Sequence, residues 1–351
     1  MKKYYSIDLF KFLFSIVIAV FHLWIWYKTN PRGGFIGVEF FFLISGFFLM
    51  KQHEEKSMNF SPVQYTWMRI KKFYPHYILS FLVYFLLRNL SVHNSLKMII
   101  KKFLYSASEI FLLQGTIVID EHSVIYNAPT WYISALLFSG YILWALLNRN
   151  KSFVLTGGPI IVFWIYAYMA YTIGKANIWR THVFEVLNYG ILRAIAGMLL
   201  GILCYQMSRK MSAYTKEAPG NKHPTICMFG GAIIIMAAIV LSYKWFNRAS
   251  FFYIVCFAVG VTLLTAGEEC GASLPKSIQN LANWLGKISF AIYLNHYLFG
   301  WGLKTLFPNY RSGIIGLYLL LVIPYSVVTT ILVKKLTIKA QKGLALIKER
   351  I

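Results

Sequence analysis

The sequence predicts an all-α membrane protein: a polytopic bundle of about ten transmembrane helices, with the N- and C-termini cytoplasmic. Three observations lead there. Long apolar stretches recur from Ile7 to Val333. Only 13% of the 351 residues are charged and 58% are hydrophobic, whereas about a quarter of a soluble domain is charged. The Lys and Arg residues cluster between the apolar stretches, weighted towards alternate connections, as the positive-inside rule requires.

An apolar run of about 20 residues crosses the hydrocarbon as a helix. The candidate spans are Ser6–Trp26, Phe35–Met50, Phe73–Leu87, Pro129–Leu147, Phe153–Ile173, Tyr189–Met207, Thr225–Tyr243, Phe251–Ala266, Trp284–Leu303 and Ile314–Val333. The first keeps Asp8 and Lys11 and ends in aromatics rather than small residues, so it reads as an uncleaved span. Ile110–Ile119 is apolar but about half a span long, and reads as a re-entrant or surface segment. With the N-terminus inside and ten spans, the cytoplasmic segments hold 20 Lys and Arg and the outer segments 12. Residues 1–333 form one transmembrane domain. The tail, Lys334–Ile351, alternates basic and apolar residues and is expected to lie on the inner membrane surface.

The formal charge of +23 would suit nucleic acid if the cations formed one stripe on a soluble fold. They do not, so lipid headgroups are the expected anionic partner and nucleic acid is excluded. The four cysteines form no CxxC pair, which argues against a disulfide framework or a metal site.

Ionisable residues inside spans are costly and face a partner or a cavity. On the outer side, His22, Glu39, Ser134, Arg193 and His296 come from five different spans at similar depths. They predict a polar layer near the outer face. On the inner side, Lys11 lies within the first span, and Arg69, Lys71 and Lys72 precede the third. Lys11 and His22 are 11 residues apart, which is three helical turns plus only ~20°. Both therefore project from one face, roughly 16 Å apart along the axis. A cation inside and an imidazole outside could hold the two ends of a long phosphorylated ligand. They could equally flank a proton path or a channel.

These residues resemble the acyltransferase-3 family of integral membrane acyltransferases. The family's opening Asp-Leu-x-Arg and later His read here as Asp8-Leu9-Phe10-Lys11 and His22. Its Gly-Val-acid-Phe-Phe-x-x-Ser-Gly-Phe segment, allowing one extra residue, reads as Gly37 to Phe47 and includes Glu39. Its Arg-x-x-Arg before Tyr-Pro reads as Arg69 to Lys72 with Tyr74-Pro75. Trp131 and Ser134 match a Trp-x-x-Ser motif, and Gly286 to His296, with Tyr293, match a late Gly-x-Ile-Ser segment. Lys11 and Lys72 replace arginines, which keeps charge but loses the bidentate fork. Leu136 stands where many members carry a Glu.

The resemblance implies an O-acetyltransferase of the bacterial inner or plasma membrane. It would move an acyl group from cytoplasmic acyl-CoA, with acetyl-CoA the expected acyl donor, to a hydroxyl of an extracytoplasmic glycan or lipid-linked sugar. Lys11, Arg69 and Lys72 would hold the CoA phosphates, and His22 would act as general base oriented by Glu39. Ser134, Trp131, Arg193, Tyr293 and His296 would serve the substrate or the oxyanion. No metal is implied. Direct attack and a covalent acyl-histidine step both remain open. A second class of reading, a transporter or flippase-like protein using the same polar layer, is weakened because no paired broken-helix repeat is evident.

Overall fold

The computed structural model describes residues 2–28, 33–55, 60–116, 124–178, 182–183, 187–217, 223–310 and 312–348. Of the basic residues behind the expected orientation, Arg32, Lys56, Arg180, Lys222, Arg311 and Arg350 lie outside these ranges, as do residues 117–119 of the half-length segment and the last three of the tail. The order is α1 (Tyr5–Tyr27), α2 (Ile36–Glu55), α3 (Pro62–Ser91), α4 (Leu96–Tyr105), α5 (Ala107–Ile110), a 3-10 turn (Ala128–Thr130), α6 (Trp131–Thr172), α7 (Tyr189–Glu217), α8 (His223–Ser242), α9 (Ala249–Glu269), α10 (Lys276–Leu306) and α11 (Ile314–Lys348). Between α6 and α7, β1 (His182–Val183) pairs antiparallel with β2 (Leu187–Asn188). This small pair is the one β element among the described residues.

Among the described residues, six helices are long and apolar enough to cross a membrane, fewer than the ten spans expected. Polar side chains explain part of the difference. α2, α3 and α10 carry Glu39 and Lys51, Arg69, Lys72 and His76, and Lys287 and His296 respectively, which lowers their hydropathy. The rest comes from α6, where two expected spans are joined. Asn150 breaks the helical path (φ −155°, ψ 85°), and its Oδ1 accepts from Phe153 N at 2.9 Å, capping the second arm as Asn does well. The two arms fold back on each other. Trp131 lies over Arg193, with 5.1 Å from guanidinium to ring centroid, and Tyr166 bonds the carboxylate paired with that arginine. A straight helix would hold residues 131 and 166 roughly 50 Å apart.

The connections gather at two ends. At one end Lys51 reaches Lys2 O, Lys151 pairs with Glu54 at 2.7 Å, Gln206 also reaches Glu54, and Arg209 pairs with Glu269 at 3.7 Å. At the other end Tyr27 bonds Phe307 O, Asn188 bonds Gly115 O and Ser250 accepts from Ala176 N. The segments expected on one side of the membrane therefore share one end of the bundle.

The second, third and eighth candidate spans are longer in the structure, as α2, α3 and α9, than their sequence bounds. α3 starts well before Phe73 because Ser61 and Gln64 form a reciprocal capping box, with Pro62 in the first turn. The turn that holds Arg69 and Lys72 is therefore rigid helix. α2 and α7 come into close contact: a Cβ on Gly46 would sit 1.9 Å from Met198 O, and one on Gly201 1.9 Å from Leu43 O. Only glycine allows backbones to approach this closely.

Residues 110–116 of the half-length apolar segment lie against the bundle, with Leu112 and Gln114 buried. Asn89 at the end of α3 bonds the Tyr126 hydroxyl, so the chain leaves and returns at one end of the bundle. In between, Glu109 O accepts from Tyr77 at 2.6 Å, about three turns below Asn89 along α3. α11 runs unbroken from the last span to Lys348, so the tail begins as a continuation of that helix.

The outside of the bundle is apolar. Along α8, Ile226, Phe229, Ile233 and Val240 are each more than half exposed, forming one stripe at helical spacing. Two grooves on this outer surface, one along α8 and one between α1, α8 and α9, have almost wholly apolar walls. Both belong to the apolar outer surface of the bundle.

Candidate active site

α1 and α10 run side by side. At one end a Cβ on Gly286 would fall 2.8 Å from Asp8 Cβ, so nothing separates the two helices there. Further along, Tyr318 of α11 donates to His296 O at 2.8 Å and lies 3.2 Å from Ala19 O. One buried phenol thus ties together the two helices that carry the histidines.

His22 and His296 meet, with His22 Nδ1 3.1 Å from His296 Nε2. His296 Nδ1 is 2.5 Å from Tyr293 O, and His22 Nδ1 is 3.0 Å from Ile18 O. A carbonyl only accepts, so both Nδ1 atoms carry hydrogen. His296 Nε2 is then the acceptor for His22 Nδ1–H, which it shares with Ile18 O. His22 Nε2 keeps its lone pair. His296 is fully buried, whereas His22 is partly exposed. An imidazole held in one tautomer by an accepting neighbour, with its other nitrogen free to take a proton, has the form of a general base.

Glu39 does not join this pair. Its Oε1 accepts from Arg193 Nε at 2.7 Å and its Oε2 from Tyr166 at 3.2 Å. Both members of the ion pair are 1% exposed, and Arg193 Nη1 also donates to Ile178 O. The imidazole is therefore oriented by His296 and Ile18, not by Glu39. The expected single polar layer resolves into separate clusters, because helix rotation and not depth decides which side chains touch.

Ser134 belongs to a third cluster. It donates to Gln114 Oε1 at 3.0 Å, and Gln114 donates to Tyr77 and Thr130. Tyr293 donates to Pro129 O, which fixes the turn before α6 against α10. Trp131 stacks on Arg193 and packs against Phe42.

At the opposite end Lys11, Arg69 and Lys72 come together. Lys11 bonds Asp8 Oδ1 at 3.0 Å and sits 4.8 Å from the Phe48 ring centroid. Arg69 bonds Tyr65 and lies beside Phe73. Lys72, just before the apolar part of α3, is pushed down to about 8 by burial, then by the charges of Arg69 and Lys11. Its surface is nonetheless accessible. Both facts hold for a side chain in a recess, ringed by protein but open to solvent. Among the described residues, Asp8 is the acid that faces this cluster, and it is also shared with Lys3, so the recess favours an anion. Lys71 stands apart, against Trp67.

A run of rings joins the two ends. Phe73 lies 5.1 Å from Phe290, Phe290 6.5 Å from Tyr293, and Tyr293 5.8 Å from His296, centroid to centroid. On α1, roughly 16 Å separates the Lys11 and His22 positions. Among the described residues, no group of three or more His, Cys, Asp or Glu is placed to hold a metal.

The chain belongs to the acyltransferase-3 family, whose model, an acyltransferase domain, matches residues 4–333. It is therefore a membrane acyltransferase by family and fold. No curated protein and no solved structure matches it.

Proposed function

We propose that this protein is an O-acyltransferase carrying an acyl group from cytoplasmic acyl-CoA, most simply acetyl-CoA, to a hydroxyl of an extracytoplasmic glycan or lipid-linked sugar. In this reading the chain crosses a cell membrane ten times with both termini inside, so the Lys11 end faces the cytoplasm. The observation that carries it is the linkage of an anion-favouring cationic recess to a tautomerically fixed histidine pair by one continuous run of aromatic side chains.

The phosphates of the donor sit against Lys11, Arg69 and Lys72, and its thioester reaches His22. The acceptor hydroxyl gives its proton to His22 Nε2 as its oxygen attacks the thioester carbonyl. The imidazolium is steadied by His296 Nε2, which accepts from His22 Nδ1–H. The carbon–sulfur bond then breaks, the ester forms, and the thiolate recovers the proton from His22.

The test is reconstitution in liposomes with acetyl-CoA inside and a glycan acceptor outside. CoA release is expected only when acceptor is present. Lys11→Ala and Lys72→Ala should each raise KM for acetyl-CoA roughly 10- to 100-fold, the worth of one charge-assisted bond. Solute uptake without CoA turnover would overturn the reading in favour of transport.

Lys72 also sets a pH dependence. Its ammonium is charged below about 8 and neutral above, so kcat/KM for acetyl-CoA should fall as pH rises through that value. In Lys72→Arg the guanidinium stays charged, and the fall should vanish. A pH profile identical in both proteins would remove Lys72 from the phosphate contact.

A further inference from the structure

We propose that His76 binds the linker arm of the acyl donor, hydrogen-bonding an amide group between the cationic recess and the histidine pair. This rests on the donor reading above and adds a residue to it.

His76 follows Pro75 within α3. It is four residues from Lys72 and seven from Arg69, spacings that put all three on one face of the helix. Its ring lies 6.2 Å from Phe290, the same ring that joins Phe73 to Tyr293. His76 therefore stands beside the run of aromatics one turn beyond the cations, towards His296.

Its Nδ1 is buried and has no hydrogen-bond partner among the described residues. The other histidines buried in the bundle are matched: His53 with Asn148, His22 with Ile18 and His296, and His296 with Tyr293. An unmatched polar atom in an apolar surround is costly, so a partner that arrives with the ligand accounts for it. The chemistry of that partner is constrained. Phe73, Phe290 and Tyr293 make the surroundings of this run neutral and largely apolar, so a phosphate would stay at the lysines. A plain hydrocarbon would leave Nδ1 unmatched. A secondary amide in a flexible linker meets both conditions, because it carries no charge and offers both a donor and an acceptor.

The experiment compares wild type with His76→Phe, which keeps the ring and its packing, and His76→Gln, which keeps a donor and an acceptor. The full-length protein is used in lipid nanodiscs. Two probes are titrated: CoA, which contains the linker, and adenosine 3′,5′-bisphosphate, which carries phosphates without it. In His76→Phe, CoA binding should weaken about five- to tenfold, the worth of one neutral hydrogen bond, while bisphosphate binding stays at the wild-type value. His76→Gln should recover part of the loss. Unchanged CoA binding in His76→Phe overturns the proposal. So does equal weakening of both probes, which would mean a general disturbance of the fold. If wild type binds neither probe, the donor reading itself fails, an outcome distinct from failure of His76 alone.

Discussion

His22→Ala is expected to lose at least 10³-fold in kcat, near the middle of the range for removing a positioned general base, with little change in KM for acetyl-CoA. In the proposed mechanism His22 is the member of the pair that meets the substrate, since its Nε2 keeps a lone pair and its ring is partly exposed. His296→Phe should cost less, on the order of 10- to 100-fold, because the base remains and loses only its acceptor. Single-turnover acyl transfer at matched expression reads both effects. Retained turnover in His22→Ala would remove the proposed base, and a larger loss in His296→Phe would reverse the two roles.

Arg193→Met should lower the stability of the folded bundle by about 3–5 kcal/mol, since it leaves the Glu39 carboxylate buried without its partner. Two further groups lose bonds: Ile178 O loses its donor, and Trp131 loses the cation on its face. Glu39→Leu alone should cost a similar amount. The double variant should recover much of the loss, because an apolar pair of similar volume avoids burying charge. Unfolding in detergent, followed by denaturant titration, supplies the comparison. Losses that simply add in the double variant would show that the pair is not coupled. Acyl transfer by whatever fraction remains folded should continue, since neither residue touches the histidines.

Much of this was legible from hydropathy, because depth in a membrane is written along the chain. Lys11 and His22 could be placed on one helix face by counting residues. The apolar stretch after Ile110 was too short to read as a full span, and it is not among the membrane-length helices. Partner choice was not legible. Glu39 and His22 share a depth, yet Glu39 turns towards α6 and α7, and only helix packing sets that rotation. Tyr166, which holds the second oxygen of Glu39, is hidden in an aromatic-rich span where tyrosine carries no special signal. Gln114 was more discoverable, since an amide inside a short apolar stretch needs a partner in the bundle. The fold-back at Asn150 was expected only as a loop. The observed turn is a single non-helical residue that caps the arm following it.

Glu109 has a consequence for how this enzyme can change. Its two oxygens accept from Tyr126 N and Asn127 N at 2.6 and 2.9 Å, so two points 17 residues apart in the chain are pinned together. On the inner side of that tie, Asn127 also bonds Leu294 O, two residues from His296. Doubling the length of a connection closed by such a tie costs only about 0.6 kcal/mol in closure entropy. The tie therefore lets the connection between the two pinned points change length at little entropic cost while Asn127 keeps its bond to Leu294 O.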